Sequence, residues 1–153
     1  LLTETNGRLS LIYKGGIKKC HDCRSFQAYQ LQWTNNRQQD GGWCRSLEAI
    51  EYHSPLTGMA NWSGLYANEL LHRLLPLQHP SPLIFQAYHT LIKQLQKPTP
   101  SDPMPQQLAW ALRQFEWQLL QDLGYAPPLI TDEGNELIPS SYYEWDDSHG
   151  WQE

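Results

Sequence analysis

The 153 residues suffice for one average domain or two small ones, and 40% apolar with 18% charged residues is enough to bury a core and too little charge for a disordered chain. A net charge of −5 excludes a uniformly basic nucleic-acid binder. The richest apolar stretch, Leu65 to Leu77, is broken by Asn68, Glu69, His72, Arg73 and Pro76, so no membrane helix is expected. No basic-apolar-small secretory pattern opens the chain. Three cysteines give no disulfide framework, and a reducing, cytoplasmic setting is expected. The first residue is Leu1, not Met, which reads as part of a longer protein.

The charge is unevenly divided. Residues 1–45 hold seven bases (Arg8, Lys14, Lys18, Lys19, Arg24, Arg37, Arg45) and three acids, a net +4, while residues 46–153 hold four bases and thirteen acids, a net −9. Such a split suggests two units with different partners. The first unit reads as β. Leu9 to Tyr13 is a short β-prone run closed by Gly15-Gly16, and Phe26 to Trp33 alternates polar and apolar residues from Gln27 onward. Thr34 to Gly42 is a polar hairpin-type loop, and Trp43 to Tyr52 returns as a strand. Three strands with short links suggest a meander from a small barrel; three cannot close one, so further strands are expected upstream of Leu1.

After the turn Ser54 to Gly58 the period becomes helical. Leu65, Leu70, Leu71, Leu74 and Leu75 predict a helix from about Ser63 to Leu75, stopped by Pro76. Ser81-Pro82 is an N-cap with a first-turn proline, and Ile84, Ala87, Tyr88, Leu91 and Leu95 predict a second helix to about Gln96. A proline-rich link follows, with Asp102-Pro103 a second cap signal. Leu108, Ala111, Leu112, Phe115, Leu119 and Leu123 predict a third helix that Gly124 ends. From Thr131 onward the chain is acidic, aromatic and aperiodic, and reads as loop or an incomplete element.

Few motifs carry chemistry. Cys20-His-Asp-Cys23 has metal-like spacing, with Cys44, His21 or His53 as completing ligands, but no second pair follows, and reduced thiols beside a loop are the plainer reading. No cofactor-binding or hydrolase motif is present, and the remaining histidines stand without an acid at telling spacing. Glu144, Asp146 and Asp147 read as a solvated acidic loop in preference to a cation site. Tyr13 to Lys19, with Arg24, joins basic residues, a ring and glycines, the ingredients of a phosphate-tracking groove. Trp110 and Trp117 are seven apart with Arg113 between them, an arrangement that either packs against a further element or receives a carboxylate beside an apolar side chain.

In order, the blocks Gly7-Arg8 with Lys14-Gly15, Ser63-Gly-Leu-Tyr-Ala-Asn-Glu-Leu70, and Leu112-Arg-Gln-Phe-Glu116 leading to Leu123-Gly-Tyr125 resemble the bacterial RecO family of DNA repair proteins. The resemblance implies an α+β chain: a partial N-terminal OB-fold over residues 1–54 and a partial α-helical domain over residues 55–153, with strands missing before and helices after. It implies a non-enzymatic, cofactor-free recombination mediator, cytoplasmic and nucleoid-associated, without membrane contact. Such a mediator binds single- and double-stranded DNA, anneals complementary strands and docks on the C-terminal tail of single-stranded DNA-binding protein (SSB). With RecR, and often RecF, it helps load RecA at gaps. Carried onto this sequence, Lys14, Lys18, Lys19 and Arg24 fall on the family's basic turn, with Arg8 on the preceding strand. Arg113 falls where the family meets the tail's terminal carboxylate, with Leu112, Phe115 and Trp117 near it. Tyr66 and Glu69 are expected to hold the first helix against the barrel. The four-cysteine zinc cluster that some members of the family carry after the segment matching Gly124-Tyr125 is not expected, since residues 126–153 lack cysteine. Two rival readings are a single-strand-binding OB module without an adaptor role, and a zinc enzyme built on Cys20, Cys23 and Cys44.

Overall fold

A computed structural model describes residues 1–13, 23–36, 41–51, 54–97, 105–131, 133–146 and 148–153. The chain is a mixed α and β structure. Strands β1 (Leu2–Thr3) and β2 (Gly7–Arg8) form a small antiparallel hairpin. Strand β3 (Leu11–Tyr13) lies in a three-stranded sheet with β4 (Tyr29–Asn36) and β5 (Gly41–Ala49), and β5 is central. β4 and β5 are an antiparallel hairpin, as the alternation predicts, with an irregularity between Gln32 and Trp33. The meander is corrected at its other edge: β3 runs parallel to β5, Leu11 opposite Gly42 and Tyr13 opposite Cys44, and is not a neighbour of β4. Parallel neighbours need a crossover, and β4 is part of the chain that makes it. Among the described residues the sheet is open, not a closed barrel.

Three helices follow: α1 (Gly58–Leu74), α2 (Pro82–Leu95) and α3 (Pro105–Asp122). α2 starts as read from the sequence, with Pro82 in the first turn and the Ser81 hydroxyl accepting the Ile84 N–H at 3.2 Å. Gly124, at φ +75°, ends α3 in the left-handed conformation. α1 begins five residues before Ser63, and its buried stripe follows the leucine pattern only in part: Leu71 and Leu75 are buried together with Ser63, Gly64 and Ala67, while Leu65 and Leu74 are exposed. Small residues set the contact face because a ring sits on it. A Cβ at Gly64 would come within 2.7 Å of the Phe26 ring.

The helices hold the main core, with Ala67, Leu71, Ile84, Leu91, Leu95, Phe115 and Leu119 all buried. Tyr88 packs edge-on against Phe115, ring centres 6.3 Å apart, and donates its hydroxyl to Asn68 Oδ1 at 2.6 Å. Burial pushes the Tyr88 phenol up to about 12. Because folding raises this value, the associated stability is complete below the ordinary tyrosine range and is lost as pH climbs from about 10 through 12. In a spectrophotometric titration a tyrosine step near about 12 should appear, and Tyr88→Phe should remove it; a step near 12 surviving the substitution would assign it elsewhere.

The β-rich part is fastened to the helices at two places. Arg8 donates through Nε to the Leu75 carbonyl at 3.0 Å, beyond the end of α1, and its own carbonyl accepts the Gln78 N–H at 2.9 Å. Gly7, at φ +65°, lies so close to His79 that a Cβ there would sit 2.0 Å from the His79 carbonyl oxygen. At the second place the Phe26 carbonyl accepts Gln96 Nε2 at 3.1 Å.

The acidic tail is more ordered than its composition predicts. Strands β6 (Glu144–Asp146) and β7 (Gly150–Gln152) form an antiparallel hairpin. Trp145 and Trp151 meet edge-to-face at 5.3 Å across it, and Trp151 Nε1 donates to the Pro128 carbonyl at 2.8 Å.

Candidate functional site

α3 presents two faces. Ala111, Phe115 and Leu119 point into the core, and Trp110 and Arg113 point outward. This follows from the 3.6-residue period: positions 111, 115 and 119 stack four apart, and 110 and 113 fall on the opposite side. The Arg113 side chain is 72% exposed and donates through Nη1 to Glu116 Oε2, a carboxylate only 14% exposed. The other oxygen of Glu116 accepts the Tyr66 phenol of α1 at 2.7 Å, and that bond raises the Tyr66 phenol above its ordinary range. Tyr66, Glu116 and Arg113 therefore form one chain of polar contacts across two helices.

Of the residues expected around Arg113, Leu112 and Trp117 are partly buried on α3. Phe115 is a correction. At 2% exposure it belongs to the core and does not line an open surface beside Arg113. Glu116 is the group sequence reasoning missed; its three-residue offset from Arg113 was the available signal. Tyr66 and Glu69 are also corrected. Tyr66 bonds to α3, and Glu69 pairs with Arg73 one turn along α1 in solvent, so neither side chain bonds to the sheet.

The basic residues divide. Lys14, Lys18 and Lys19 lie outside the described residues. Arg24 is exposed just before β4, where its backbone N–H donates to the Tyr29 hydroxyl at 2.6 Å. It borders a cavity of about 320 Å³ shared with Phe26, Leu56, Asn61 and Gln96, where the loop before β4 meets α1 and α2. Arg8 is half-buried at the junction with α1, so its guanidinium already has a structural partner.

Among the described residues no group of side chains forms a thiolate or metal-holding cluster. Cys44 is buried in β5 with its thiol 3.5 Å from the Ser46 carbonyl, and burial raises the thiol and disfavours the thiolate a metal needs. Cys23 is disulfide-bonded, contrary to the reduced-thiol reading. Cys20, His21 and His53 lie outside the described residues. In the tail, His149 does have an acid partner: Asp146 accepts its Nδ1 and the N–H groups of Ser148 and His149, each at 2.8 Å. These bonds, the histidine first, hold the Asp146 carboxyl below its usual range and commit it to the hairpin turn. Asp147 lies outside the described residues. No described helix is long and apolar enough to cross a membrane.

Residues 57–147, spanning all three helices, match the family profile described as recombination protein O C terminal. The chain is 34% identical over 140 residues to the DNA repair protein RecO of Pseudomonas aeruginosa (strain LESB58), covering 90% of this chain and 56% of the relative. It is 34% identical over 139 residues to that of Azoarcus sp. (strain BH72), covering 86% and 52%, and 29% identical over 157 residues to that of Aliivibrio fischeri (strain MJ11), covering 99% and 62%. The chain belongs to the RecO family. It spans little more than half the length of these curated relatives.

Proposed function

We propose that this chain serves DNA repair as a non-enzymatic recombination mediator: it binds DNA through its N-terminal unit and SSB through its helical unit. The observation that carries this reading is Arg113, a solvent-facing guanidinium on a helix inside the family-matched region, beside exposed Trp110 and partly buried Trp117. A guanidinium next to aromatic surface suits a terminal carboxylate preceded by an apolar residue. The relatives' name, DNA repair protein, supports the role.

In this reading residues 1–54 belong to an OB-fold and residues 55–153 to a helical domain. The mixed β3-β5-β4 sheet and the start of the family match at residue 57 support that division. Lys14, Lys18, Lys19 and Arg24 lie between β3 and β4 in sequence, within the unit of net +4, and form the DNA face. Arg8 makes at most a minor contribution there because its guanidinium is engaged. RecR and RecF complete the assembly that delivers RecA to gaps, in the cytoplasm at the nucleoid.

A labelled SSB C-terminal peptide tests the partner assignment. Full-length protein should bind it with a Kd on the order of micromolar at low salt, read by fluorescence anisotropy. Arg113→Ala should weaken binding about tenfold or more, the size of a lost charge-assisted hydrogen bond. Absence of wild-type binding, or equal binding by the variant, would refute the assignment.

A further inference from the structure

We infer that Glu116 is the positioning and specificity-setting residue of the Arg113 site, making recognition there depend on a terminal carboxylate in contact and not on the overall negative charge of the peptide. The inference rests on the reading of Arg113 as a carboxylate receptor. It deepens that reading with a group on the neighbouring turn to which the sequence blocks give no role.

The geometry is specific. An exposed arginine paired with an exposed acid three residues on would swing freely and contribute little. Here the acid is not exposed: the Glu116 side chain is 14% accessible against 72% for Arg113. Both its oxygens are engaged, Oε1 by the Tyr66 phenol at 2.7 Å and Oε2 by Arg113 Nη1. Tyr66 belongs to α1, so the carboxylate is held from a second helix as well as by the arginine on its own. The guanidinium is thereby pinned at one nitrogen. Its Nε and Nη2 form the second edge of the fork, with two parallel donors in the arrangement that receives a carboxylate side-on.

The charge consequence follows from the same pair. The fixed Glu116 charge cancels that of Arg113 beyond contact distance, and the surrounding residues 46–153 carry a net −9. A strongly acidic peptide gains no long-range attraction from such a surface. What remains is short-range: two hydrogen bonds from a preset fork to a carboxylate that can reach it.

The test compares a free-acid SSB tail peptide with its C-terminally amidated form on full-length protein across a salt series. Wild type should prefer the free acid about tenfold or more and show a shallow salt dependence. Glu116→Gln keeps the shape and exposes one positive charge. It should bind the amidated peptide more tightly, reduce the free-acid preference by roughly threefold or more, and steepen the salt dependence. Tyr66→Phe, which frees Glu116 without altering any charge, should reduce the preference while leaving the salt dependence shallow. A Glu116→Gln protein with wild-type preference and salt dependence would overturn the inference while Arg113→Ala still loses the peptide. If Arg113→Ala retains binding, or wild type shows none, the receptor reading falls and this inference with it.

Discussion

Phe115→Ala should cost about 3–5 kcal/mol of folding stability, the range for removing a buried aromatic ring and leaving a cavity. Phe115 is 2% exposed and shares its core with Ile84, Leu91 and Leu119, while Tyr88 meets it edge-on at 6.3 Å. Removal of the ring therefore takes contacts from α2 and α3 together. Urea denaturation of the full-length protein checks the value, and a loss below about 1 kcal/mol would contradict a packed environment. The result matters for reading any binding experiment on α3. A drop in partner binding in Phe115→Ala reports an unfolding population, whereas the same drop in Arg113→Ala, an exposed position, reports a lost contact.

The second large effect belongs to the basic segment. Lys18→Glu with Lys19→Glu changes the N-terminal unit, residues 1–45, from a net +4 to 0. If both lysines neutralise phosphates, DNA affinity at low salt should fall about tenfold to a hundredfold, and the slope of log affinity against log salt should shrink by about two. The size of the change in slope is the sharper readout, since it counts released ions. Unchanged annealing and an unchanged slope at low salt would move the DNA face away from this segment.

Much of the helical part was legible because its signals are local. Ser81-Pro82 and Gly124 mark helix ends through single-residue chemistry, and the buried positions of α2 and α3 recur at helical spacing. α1 was harder. Its buried face is built from Ser63, Gly64 and Ala67, which carry little hydrophobic signal, because the Phe26 ring, brought from 38 residues away in sequence, needs the room. The parallel pairing of β3 with β5 is likewise set by long-range contact, and alternation within each strand is silent on which neighbour it takes. The tail hairpin was missed since three-residue strands are too short to show a period, and two tryptophans define it instead.

At the candidate site the sequence pointed to Arg113, and a block match singled out Tyr66 without its contact. The Tyr66–Glu116–Arg113 chain joins α1 to α3 over 50 residues, a distance at which spacing carries no information. Phe115 was drawn into the binding set by adjacency in sequence, though neighbouring helical positions point about 100° apart. The family resemblance places Arg8 on the strand before the basic turn, whereas its bond to the Leu75 carbonyl depends on how the hairpin meets α1.

The central claim is that DNA and SSB are engaged by two separate faces of this chain. Annealing of complementary strands, bare or coated with SSB, tests it most directly with full-length protein. Arg113→Ala should anneal bare strands at the wild-type rate and SSB-coated strands far more slowly, while Lys18→Glu with Lys19→Glu should fail on both. Equal annealing of coated strands by wild type and Arg113→Ala, or full activity in the lysine variant, would contradict the two-face account.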